Sequence, residues 1–172
     1  GVAVKVQRAT GELEWTANLN QVCTTADATN SWFDVTLIDN AQLVALSRHT
    51  GAITTIDPRT GECSLVGEFE NGIHAAAWSP DKEILALVTL TDADADADAD
   101  PDRDGAAPPA ASSVLLSMNA QFEVLEEVSI ENHTTDAEVS LCWRPDSTLV
   151  AVSAVDLVDQ LRKVRIYKRE TL

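Results

Sequence analysis

Apolar and polar residues alternate in short runs along this chain, beginning with Val2, Val4 and Val6 in GVAVKVQ. A period of two marks a β-strand, whose successive side chains point to opposite faces. Two stretches break the alternation in the same way. WSPDKEILALVT (78–89) and WRPDSTLVAVSA (143–154) each hold a tryptophan, a Pro-Asp turn and a strand apolar on both faces. Trp78 and Trp143 stand 65 positions apart, and Ala86 and Ala151 keep that offset. In the first copy Ile84, Ala86 and Val88 share one face and Leu85 and Leu87 the other, so both faces call for cover. Pro80 presets φ for a tight turn, and Ser79 and Asp81 can bond nearby backbone groups. Pro145 and Asp146 restate the device, which makes Trp78, Pro80, Asp81, Trp143, Pro145 and Asp146 a structural repeat motif.

Other pieces recur. Aligning NAQLVALS (40–47) with DKEILALV (81–88) sets Ala45 on Ala86 at an offset of 41, within the roughly 40–45 residues of one four-stranded propeller blade. Thr-Gly-Glu occurs at 10–12 and 60–62, each time before an alternating run, as the glycine of a tight hairpin would. Helical periodicity sustained over three turns is absent. The expected fold is all-β, a partial WD-type β-propeller of about three four-stranded blades. Its pieces fall at about 1–19, 32–70, 73–130 and 139–172, and Ala45, Ala86 and Ala151 are expected where the blades crowd the axis. Such an arc cannot close a ring, which leaves edge strands near Val2–Val6 and Val164–Tyr167.

The excess length of the third piece comes from a low-complexity insertion, 91–112, read as disordered because Asp-Ala repeats offer nothing apolar to bury. A calcium loop would need a glycine at a sharp bend and an ordered ligand set, which Asp92–Asp100 lacks. The formal charge of −16 opposes phosphate backbones, so direct nucleic-acid binding is not expected of this segment. RKVRIYKR (162–169) is the local exception, with five of the twelve basic residues; Val164 and Ile166 should face one way and Lys163 and Arg165 the other, the basic side forming a solvated strand face.

Candidate chemistry is sparse. Cys23, Cys63 and Cys142 form no CxxC pair, which fits a reducing compartment. His49, His74 and His133 have no spacing suited to a metal, and His74, near Trp78, reads as a structural hydrogen-bonding group. The nucleophile elbow and the glycine-rich phosphate loops do not occur. No catalytic, cofactor or metal site is expected, and no run approaches eighteen apolar residues.

The ordered combination of NGIHAAAWSPDKEILALVT (71–89), SVLLSMNAQFEVLEE (113–127) and VSLCWRPDSTLVAVSAVD…RKVRIYKRE (139–170) resembles a known family. It is similar to the largest, scaffold subunits of the Elongator complex, in their N-terminal WD-type propeller region, over most of Leu37–Leu172. The resemblance implies a fragment of a non-catalytic, cytoplasmic scaffold with a nuclear pool. Its partners would be the catalytic subunit, which modifies wobble uridines of tRNA, and a second propeller subunit. Dimerisation and tRNA-contacting segments would lie outside this stretch, and no membrane is implied. The chain departs from the family in its acidic insertion and in the short NHTTDAE link (132–138), where a strand-bearing segment is usual. The alternative is a WD-repeat interaction module of an unrelated assembly.

Overall fold

A computed structural model of the 172-residue chain describes residues 2–6, 10–19, 32–38, 42–91, 112–133 and 138–172. They form four antiparallel sheets. β1 (Val2–Val6) pairs with β2 (Leu13–Asn18). β3 (Trp32–Ile38), β4 (Gln42–Ser47), β5 (Ile53–Ile56) and β6 (Cys63–Gly67) make a four-stranded meander. A second meander holds β7 (Ala75–Trp78), β8 (Ile84–Thr91), β9 (Ser112–Asn119) and β10 (Val124–Ile130). The last sheet has β11 (Ser140–Trp143), β12 (Leu149–Val155) and β13 (Arg162–Lys168), and a short 3-10 turn at Arg169–Thr171 follows it. The fold is all-β, made of the consecutive meanders that a partial propeller requires.

The chain divides into two compact units, residues 1–73 with 120–122, and residues 74–119 with 123–172. In the first, Trp15, Ala17 and Leu19 of the β1–β2 sheet and the residue after it pack with Leu43, Ala45, Ile56 and Cys63 of the β3–β6 sheet. The Trp15 indole N–H donates to the Pro58 carbonyl at 3.0 Å. Its ring lies where a Cβ on Gly61 would come within 2.8 Å, so Gly61 gives the indole room as well as supplying a φ of +76°. The ladder shifts register between Lys5 and Val6, and past that shift Leu13, two residues before the buried Trp15, is 62% exposed.

In the second unit one face of the β7–β10 sheet packs on one face of the β11–β13 sheet. Ile84, Ala86, Val88 and Leu115 meet Trp143, Val150, Val152 and Ala154. Leu85 and Leu87, on the other face of β8, are also wholly buried, so this strand is covered on both sides. The tip of the β8–β9 hairpin, 92–111, belongs to the insertion and lies outside the described residues; the ladder runs in register to Thr91 and Ser112 on either side of it.

The 41-residue alignment needs correction. Ala86 and Ala151 occupy matching ladder positions, opposite Ala77 and Cys142 on the neighbouring first strand. Ala45 lies on the second strand of its sheet too, yet it faces the sheet that precedes it in the chain, whereas Ala86 faces the sheet that follows. The hairpin before β4 closes on Ile38 and Gln42 and leaves three residues in the loop. The one before β8 closes on Ser79 and Ile84 and leaves four. A one-residue difference in a strand turns every side chain to the opposite face.

Candidate functional site

The repeated Pro-Asp turns are superposable in their hydrogen bonding. Ser79 N–H donates to Ile84 O and Lys82 N–H to Ser79 O; Arg144 N–H donates to Leu149 O and Ser147 N–H to Arg144 O. Lys82 and Ser147 both take left-handed φ, +64° and +60°. Asp81 accepts from the Ser79 hydroxyl at 2.5 Å and from Glu83 N–H at 3.2 Å. Asp146 accepts from Thr148 N–H at 3.1 Å and from the Arg144 guanidinium. Pro80 and Pro145 are exposed at the turns, while Trp78 and Trp143 are buried at the strand ends below them.

Contacts inside the second unit tie the first turn and its strand to the β11–β13 sheet and the residue after it. The Trp143 indole N–H donates to Ala77 O at 2.9 Å, the Ser147 hydroxyl accepts from Asp81 N–H at 3.2 Å, and Arg169 forms ion pairs with Asp81 and Glu83. Partial burial raises the Asp81 pKa, but the Ser79 and Glu83 hydrogen bonds and the Arg169 guanidinium outweigh it and hold it at about 2, against an ordinary 3.8. The Lys163 ammonium similarly lowers Asp156, and Arg144 lowers Asp146. A depressed carboxylate stabilises the fold above its unfolded pKa and loses that contribution as pH falls through the folded value. Melting temperature should therefore be level above pH 4 and fall between about 4 and 2. Thermal melts across that window check this, and Arg169→Ala should make the decline shallower.

The face of β11–β13 turned away from β7–β10 is open. Leu149, Ala151 and Ser153 are half-buried on it, and Cys142 is exposed. Val164 is 62% and Ile166 66% exposed. The basic strand thus alternates as expected but with the opposite outcome, since its apolar side meets solvent. Lys163 and Arg165 turn the other way. The Lys163 ammonium lies 2.8 Å from both Asp156 and Asp159, and Arg165 lies 3.4 Å from Asp156 and donates to Glu131 O at 2.9 Å. Asp156 is only 2% exposed, so both cations reach toward a buried carboxylate while their own side chains stay 42% (Lys163) and 24% (Arg165) exposed. A pocket of about 320 Å³ lies on the open face, lined by Cys142, Leu149, Ala151 and Ile166 with the Trp143–Pro145 turn.

No group of three metal-ligating side chains occurs among the described residues. His49 is exposed and His74 half-buried, with the His74 N–H on Val88 O. One contact escaped the sequence reading: the Ser113 hydroxyl and His133 Nδ1, both buried, lie 2.7 Å apart and tie the residues after β10 to β9. Nothing in their twenty-residue separation signals that pairing. Burial raises the Cys63 thiol pKa, and Cys23 lies outside the described residues.

The chain is similar in fold to a solved structure described as a functionally unknown protein from Desulfotomaculum acetoxidans DSM 771. The identity is 12% and the TM-score 0.50, with 98% of this chain covered. This chain spans 46% of that one, under half its length. None of the curated proteins compared with the chain matches it. A family model, described as the ELP1 first N-terminal beta-propeller, matches residues 2–138. Most of the chain lies within that match, and the chain belongs to the family of ELP1 first N-terminal β-propellers, the propeller region of Elongator subunit 1.

Proposed function

We propose that this chain is part of a non-catalytic scaffold that supports wobble-uridine modification of tRNA through protein–protein contacts. In this reading it helps to hold the catalytic subunit and a second propeller subunit of Elongator, acts in the cytoplasm and needs no cofactor. The observation that carries the proposal is membership of the ELP1 propeller family over residues 2–138. The exposed side of β13 and the open face around it support a contact role, because a fold does not itself dictate an activity and the surface must supply one.

The test uses the full-length parent protein with an affinity tag, expressed in its own cells. The other Elongator subunits should co-purify with it, and depletion of the parent should lower wobble-uridine modification in bulk tRNA. Recovery with a different stable set of partners, and no Elongator subunit, would instead establish an interaction module of another assembly.

A further inference from the structure

The outer edge of the β7–β10 sheet carries charge of one sign. β10 ends that sheet and pairs with β9 alone among the described residues, so one side of its backbone has no strand beside it. Leu125 is the extra residue of a bulge between Val124 and Glu126. Beyond it five pairs run without a break, from Glu126 with Ser117 to Ile130 with Ser113. Ile130 is buried and Val128 packs against the core shared with β11–β13, which holds this stretch in place. Glu126, Glu127 and Ser129 are exposed, as are Val124 (54%) and Leu125 (45%). The sequence has no Lys or Arg between Arg103 and Arg144, yet it places Glu123, Glu126, Glu127 and Glu131 along this strand and its ends. Cations of the same unit are held elsewhere: Arg162 at Glu138, Lys163 at Asp156 and Asp159, and Arg169 at Asp81 and Glu83.

We propose that β10 is a docking edge for an extended basic segment of a partner protein, which adds to the sheet as a further strand. Main-chain hydrogen bonds along 126–130 supply affinity in such a complex, and side chains supply the choice of sequence. Exposed edges are commonly guarded by proline, by lysine or by very short length. β10 runs for seven residues and has neither of those residue types. Its glutamates guard it selectively, because like charges facing across two strands repel and opposite charges attract. An acidic strand is turned away and a basic one is drawn in. Successive side chains of a strand point to opposite faces, so Glu126 and Glu127 together select two adjacent cations, one for each face. Apolar residues beside that pair meet Leu125 and the half-buried Val128. The formal charge of −16 favours the encounter with a cationic segment at longer range. The proposal stands on this edge and its charges, and holds whether or not the Elongator assignment of partners does.

The experiment uses the full-length parent and a fluorescent synthetic peptide, an Arg-Lys pair flanked on each side by alternating valine and threonine. Fluorescence anisotropy should show saturable binding that weakens as salt rises. Amide hydrogen exchange at residues 126–130 should slow in the complex. The double variant Glu126→Lys, Glu127→Lys changes two exposed side chains and should bind at least about tenfold more weakly, two attractions having become two repulsions. Two further peptides carry N-methyl groups on alternate residues, one set for each edge of the peptide strand. One set should abolish binding and the other leave it intact, since only one edge of the peptide faces β10. This comparison needs no substitution in the protein, so it decides the matter even if the double variant fails to fold. An absence of saturable binding, affinity that survives the charge reversal, or equal effects of the two methylated sets overturns the proposal. The last two outcomes would assign the attraction to acidic residues elsewhere. Co-purification of other subunits is read separately, so loss of one conclusion leaves the other standing.

Discussion

Trp143→Ala should lower the stability of the second unit by about 3–5 kcal/mol, the range for truncating a buried aromatic in a packed core. Trp143 is 8% exposed, stands among Ile84, Ala86 and Val150, and also bonds to Ala77 O. Two losses therefore coincide: the apolar contact between two sheets, and a donor for a carbonyl on the first strand of its neighbour. Trp143→Phe separates them, because it keeps the ring and removes the N–H, and should cost about 1 kcal/mol plus a small packing term. Urea denaturation followed by circular dichroism measures both. If Trp143→Ala cost less than about 1 kcal/mol, the indole would not be what holds these sheets together.

The second large effect falls in the first unit. Gly51 closes the turn between β4 and β5 at φ +65°, and its carbonyl accepts from Phe69 N–H at 3.2 Å. A Cβ there would lie 2.1 Å from Phe69 O, a backbone atom that cannot swing aside. Gly51→Ala combines a left-handed alanine, roughly 1–2 kcal/mol, with overpacking of roughly 1–3, so about 2–5 kcal/mol is expected. Gly11→Ala is the control. Its φ is +73°, but nothing lies within 4 Å of the added carbon, which leaves the conformational cost alone. Thermal melts of the two variants should differ clearly; equal losses would mean that the Phe69 segment yields freely.

The sequence carried much of this architecture because local rules and global packing agree at many positions. The Pro-Asp turns that follow Trp78 and Trp143 repeat the same backbone hydrogen bonds. The strand from Ile84 to Val88 is apolar on both sides and is buried on both. Alternation alone does not say which side is covered. At β13 it separated Val164 and Ile166 from Lys163 and Arg165, but the interior side was chosen by Asp156 in the preceding turn, a carboxylate that both cations reach. At Ala45 the choice rested on a single loop residue, beyond the resolution of an alignment built on one shared alanine. The Ser113–His133 contact joins residues whose proximity depends on the β9–β10 hairpin and its exit, and neither residue type specifies it.

The inward turn of Lys163 and Arg165 also bears on RNA. Of the five cations between Arg162 and Arg169, four already lie against carboxylates: Arg162 at Glu138, Lys163 and Arg165 at Asp156, and Arg169 at Asp81 and Glu83. Polyelectrolyte affinity comes from releasing ions condensed on phosphates, and a guanidinium neutralised within its own fold releases fewer of them. A phosphate would have to displace an internal partner at almost every step along this strand. Any RNA retained by the parent should therefore depend on ionic strength through surfaces elsewhere, with a log–log slope insensitive to charge removal here.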